Sequence, residues 1–113
     1  MPKTVSDVDV LRTYIQGVME RAAHHADNVS HVVLALAGAI LWRMDDEPLK
    51  VLEREGEMKN VLWARVDGER YAFSYNHETR TIDMRQGSTQ GRLVHAFSNA
   101  TPLQEIIAIF AGL

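Results

Sequence analysis

A chain of 113 residues, 46% hydrophobic and 24% charged, has the make-up of one folded domain with a real core. Its net charge of -3, with no Lys/Arg run, gives no electrostatic footprint for nucleic acid or an anionic membrane. The absence of cysteine excludes disulfides, thiolate zinc sites and cysteine nucleophiles.

The first residues, Met1-Pro2-Lys3-Thr4, lack the apolar core of a signal peptide. The longest apolar run, residues 32–42, is too short to span a bilayer. These features predict a soluble, cytoplasmic, single α+β domain over residues 1–113.

Ser6-Asp7-Val8-Asp9 opens a first helix, with Ser6 as N-cap and two aspartates in the first turn. Val8, Leu11, Ile15, Val18 and Ala22 form its apolar stripe. His24 and His25 suit its C-terminus, and Asp27-Asn28 marks a break. Residues 29–37 read as a second helix capped by Ser30 and ending near Gly38, because alanine and leucine outnumber branched residues. Two other readings stay open there: a buried strand, or one continuous helix over residues 7–37. Residues 39–44 then predict a strand, Asp45-Asp46-Glu47-Pro48 a turn, and residues 49–54 the returning strand.

Asp67-Gly68, flanked by runs of aromatic and branched residues, predicts a two-residue type I′ hairpin. The turn sets Val66 opposite Glu69, Ala64 opposite Tyr71 and Leu62 opposite Phe73. One face then carries Leu62, Ala64, Val66, Tyr71, Phe73 and Tyr75 and must be core. The other carries Trp63, Arg65, Arg70, Ala72 and Ser74. Arg65 opposite Arg70 requires water or an acidic partner nearby. Residues 76–80 form a polar loop, Ile82 and Met84 belong to a further strand, and residues 87–91 form a second loop. A last strand spans residues 92–97, with Leu93, His95 and Phe97 on one face. Thr101-Pro102-Leu103-Gln104 reads as a capping box, and Leu103, Ile106, Ile107 and Phe110 as the core face of a closing helix. The fold class is thus α+β: an antiparallel meander of five or six strands against an N-terminal helix or helix pair and a C-terminal helix.

Several constellations could carry chemistry. Glu20, His24, Asp27 and His31 would share a face of a continuous helix and could hold a metal, although a polar helix end explains the same letters. His77 and Glu78, with His95, could supply general acid–base catalysis, although Asn-His-Glu-Thr is also an ordinary polar loop and His95 alternates with apolar neighbours. The acidic turn Asp45, Asp46 and Glu47 could bind a hard cation, but no EF-hand spacing follows it. No serine sits in a nucleophile elbow, and no lysine follows the loop at 87–91 as a phosphate loop would need. Trp42, Trp63, Tyr71 and Tyr75, all placed on predicted strands, read as core and subunit interface, or else as a pocket where tyrosine hydroxyls and His95 orient an apolar ligand.

Five stretches together carry a likeness of overall sequence: residues 7–29, Leu36-Ala37-Gly38-Ala39-Ile40-Leu41-Trp42-Arg43, Gly56-Glu57-Met58-Lys59-Asn60-Val61-Leu62-Trp63, Tyr71-Ala72-Phe73-Ser74-Tyr75-Asn76-His77-Glu78 and residues 91–102. In these the chain resembles small uncharacterised proteins encoded by mobile integron gene cassettes of bacteria. The resemblance implies an adaptive role and, for several such proteins, a homo-oligomer. It transfers no functional residue.

The surplus of apolar surface in residues 32–40, with Trp42 and Trp63, predicts a homodimer. The expected function is a small-molecule binding or interaction module taking a small apolar or aromatic ligand, with no cofactor, nucleic acid or membrane. The alternatives are a small metal-dependent or acid–base enzyme, and an antitoxin or regulator that binds a partner protein.

Overall fold

The computed structural model describes residues 7–22, 28–54 and 57–113. In chain order it places α1 (Asp7–Ala22), α2 (Val32–Arg43), β1 (Lys50–Arg54), β2 (Glu57–Val66), β3 (Glu69–Asn76), β4 (Thr81–Gln86), β5 (Leu93–Phe97) and α3 (Leu103–Ala111). The five strands form an antiparallel meander in the order β1-β2-β3-β4-β5, so the expected α+β class holds with five strands. Among the described residues no helix is long and apolar enough to cross a membrane.

The hairpin register is the predicted one: Leu62 faces Phe73, Ala64 faces Tyr71 and Val66 faces Glu69. Asp67 and Gly68 both take positive φ, 51° and 81°, as a type I′ turn demands. The six residues assigned to the inner face are all buried. The helices cover that face, and Leu11, Val33, Leu36, Ile40, Ile106 and Phe110 join it in one core. The opposite face carries no second layer of described residues. Asp45 anchors the turn, its carboxylate accepting the N–H groups of Asp67 (2.9 Å) and Gly68 (2.8 Å).

Five readings of the sequence are corrected. Residues 39–44 are not a strand: α2 runs through Gly38 to Arg43. Val32, Val33, Leu36, Ala37 and Ile40 are buried at helical spacing, so the helix period governs beyond the glycine. It follows that Trp42 lies on a helix, and β1 pairs with β2. Second, Ser30 does not cap α2. Asn99 does, from the far end of the chain: its Oδ1 accepts the N–H groups of His31 (2.8 Å) and Val32 (3.1 Å). Third, helix does not continue through residue 28, because Asn28 sits at φ 70°, a left-handed conformation.

Fourth, Leu93 leaves the face of His95 and Phe97. Ile82 pairs with Phe97 and Met84 with His95, but Arg85 pairs with Leu93, so an irregularity at Val94 turns Leu93 outward. Fifth, the capping box at Thr101 does not form. The N-cap of α3 is Pro102, with no side-chain cap, and Thr101 Oγ1 instead accepts the N–H of Ser98. Only Ile106 and Phe110 of the expected core face are buried, while Leu103 and Ile107 stand in solvent.

The cap supplied by Asn99 ties the β5–α3 connection to the start of α2, and Asn99 N–H also bonds Asn28 O (2.7 Å). Asn99→Ala is expected to cost about 1 kcal/mol of stability, the usual value of a side-chain N-cap. Urea denaturation measures it. A cost indistinguishable from that of Ala100→Gly would show that the cap contributes nothing.

Candidate functional site

The residues singled out in the sequence do not converge. Tyr71 and Tyr75 are buried beneath the helices. Burial, reinforced by Glu69, pushes the Tyr71 phenol above its usual range, so it stays a protonated donor at neutral pH. His95 lies on the inner side of β5, tilted against Phe97 at 4.7 Å, with Nε2 3.8 Å from Glu105 Oε1, longer than a hydrogen bond. His77 and Glu78 sit in the exposed β3–β4 turn. Asn76 Oδ1 accepts the N–H groups of Glu78 (2.9 Å) and Thr79 (3.3 Å), which gives that polar loop a structural role. The His77 ring meets Tyr75 edge-on at 4.9 Å. No contact joins His77 or Glu78 to His95 among the described residues.

Of the metal candidates, His24, Asp27 and the Glu20 side chain lie outside the described residues. His31 is exposed at the start of α2. Among the described residues no group of three or more His, Asp or Glu side chains is placed to hold a metal ion. The acidic turn is used internally, Asp45 holding the hairpin and Glu47 pairing with Arg65 Nε at 3.2 Å.

Between helices and sheet, the cavity bounded by Leu11, Ile15, Val33, Leu36, Phe73 and Ile82 measures about 10 Å³. It has room for about one water and no polar group to hold it. Among the described residues, this cavity is too small to take an apolar ligand.

Among the open surfaces of the described residues, two carry the tryptophans. The first is a groove of about 260 Å³ between α2 and α3, floored by Ala35, Gly38 and Ala39 and walled by Trp42, Leu103 and Ile107. Leu103 is 65% exposed, Trp42 57% and Ile107 57%, and Leu34 and Leu41 extend the apolar surface along α2.

The second is a cleft of about 200 Å³ on the open face of the sheet, lined by Glu47, Pro48, Lys50, Trp63, Arg65 and Arg70. The Arg65–Arg70 cross-strand pair is relieved in two ways. Arg65 is neutralised by Glu47 and donates to Gly68 O (3.0 Å). Arg70 lies over the Trp63 indole, 5.8 Å from the ring centroid, and donates through Nε to Gly87 O (2.8 Å). Trp63 Nε1 is buried and has no hydrogen-bond partner among the described residues. A donor left in that state costs about 1–3 kcal/mol. Further along the same face, the buried carboxylate of Asp83 accepts from Asn76 Nδ2 (3.0 Å) and Thr81 Oγ1 (2.7 Å), with Arg85 3.7 Å away.

Trp42 and Trp63 thus belong to different surfaces, on opposite sides of the sheet, and Tyr71, Tyr75 and His95 to neither. Sequence reasoning missed both the groove and the cleft. The available signals were a glycine inside an apolar helix and two arginines facing each other beside a tryptophan. A family model described as "Integron cassette protein VCH_CASS1 chain" matches residues 11–107, from α1 into α3. No curated protein matches the chain.

Proposed function

The chain belongs to the integron cassette protein family, and from that premise we propose that it acts as a homodimeric binding or interaction module, not an enzyme, with the helical layer as its dimer face. The observation that carries the reading is the uncovered apolar surface across α2 and α3. Gly38 gives it direction. A glycine inside a helix costs about 1 kcal/mol relative to alanine, and a Cβ at Gly38 would meet nothing within 4 Å. Among the described residues nothing in the protomer's own packing demands glycine there, and close approach of a second copy would account for it.

A second copy fits better than an unrelated occupant, because ridge and groove lie side by side on one surface. The bulky side chains of Trp42 and Ile107 flank a floor of Ala35, Gly38 and Ala39. A two-fold axis near Gly38 would set each copy's ridge into the other's groove, as isologous contacts require. The residues that line the groove carry no charge, so the net charge of -3 on each copy is not concentrated at the contact.

Gly38→Ala separates the two effects. It is expected to raise protomer stability by about 1 kcal/mol through helix propensity while weakening self-association. Thermal melts and sedimentation velocity over a dilution series read both. Stabilisation with unchanged association would remove Gly38 from the contact.

A further inference from the structure

The cleft on the open sheet face has a charge balance unlike that of the whole chain. Lys50, Arg65 and Arg70 line it against one carboxylate, Glu47, an excess of two positive charges (three less one) in a chain of net charge -3. Lys50 stands opposite Trp63 in the β1–β2 ladder and makes no ion pair among the described residues. Arg70 is anchored at Nε by Gly87 O, which holds its guanidinium beside the indole. The Trp63 Nε1–H is buried and has no acceptor among the described residues. Two cations with no ion pair among the described residues call for a ligand that brings negative charge.

We propose that this cleft binds a small carboxylate, with Arg70 and Lys50 holding the anion beside the Trp63 indole. A carboxylate matches the planar fork of a guanidinium with two parallel hydrogen bonds. Pro48 and the indole supply an apolar wall for the rest of the molecule, which a bare phosphate leaves unfilled. A volume of about 200 Å³ lies below the roughly 300–1,000 Å³ of drug-sized pockets, so the ligand is small. Arg65 serves as a positioning residue, fixed by Glu47 and the hairpin turn. The inference rests on the binding part of the proposed function and not on its dimer part, because the cleft and the helical layer lie on opposite sides of the sheet.

The test is NMR titration of the full chain with sodium benzoate, benzamide and inorganic phosphate, following the tryptophan Nε1–H signals. The chain has two tryptophans, so Trp42→Phe assigns the Trp63 signal. Benzoate is expected to shift that signal and to saturate, benzamide to leave it in place, and phosphate to bind more weakly than benzoate. Arg70→Gln is expected to weaken benzoate about tenfold, the worth of one charge-assisted hydrogen bond, with the oligomeric state of the same samples unchanged. No saturable shift with benzoate, an equal shift with neutral benzamide, tighter binding of phosphate, or no effect of Arg70→Gln would each overturn the assignment.

Discussion

Phe110→Ala is expected to lower the stability of the fold by about 3–5 kcal/mol, the range for removing a fully buried phenylalanine. Phe110 is completely buried. Its ring lies 6.4 Å from Phe73, nearly parallel at 11°, and 6.3 Å from Phe97 at 40°. These contacts join the last helix to β3 and β5. A helix of nine residues is not stable in water by itself; it needs its buried face. Ile106 and Phe110 are the buried residues of α3, so losing Phe110 removes most of what docks the helix. Against a total of about 5–15 kcal/mol for a domain, this change brings the chain close to unfolding. It also disperses the surface that Leu103 and Ile107 present. Ile107→Ala is the control, because an exposed apolar side chain changes stability by less than about 0.5 kcal/mol. Equal costs for the two variants in urea denaturation would show that α3 is not held by its Phe110 side.

Leu103→Glu and Ile107→Glu are expected to do the reverse, leaving the protomer folded and breaking the pair. Both side chains are more than half exposed on the wall of the α2–α3 groove, so a carboxylate there meets water in the isolated chain. In a dimer it would be buried against its partner's apolar surface, a cost that no local group repays. A loss of about 2 kcal/mol or more, roughly 30-fold in dimer affinity, is the expected scale for a central interface position. Sedimentation equilibrium reports the affinity and circular dichroism the fold. Retention of the wild-type association by both variants would move the contact off this face. Loss of folding would show instead that the two side chains are core.

Much of the sheet was legible from residues because local rules agreed. Asp67-Gly68 fixed the turn, alternation fixed the faces, and the six inner residues could be named before any coordinates. The helices were harder. Gly38 looks like a helix stop, but glycine permits a left-handed end without requiring one, and α2 continues through it. The apolar stripe of α3 says which side chains are hydrophobic, not which of them the sheet reaches. Leu103 and Ile107 match Ile106 and Phe110 in chemistry and differ only in what covers them. The cap of α2 was invisible for a different reason: Asn99 lies 68 residues from His31, and no local pattern encodes such a contact. The cleft at Trp63 depends on Lys50 lying opposite it. The sequence pattern alone pairs residues 49–54 with 39–44, a register in which those side chains do not meet.

On the proposed function, the uncovered helical face belongs to a second copy. The most direct test is sedimentation equilibrium of the unmodified chain at micromolar concentration, with dilution toward the nanomolar range. A species of twice the 12.7 kDa chain mass, dissociating only on dilution, is the predicted result. A monomer of 12.7 kDa throughout the series would contradict the claim.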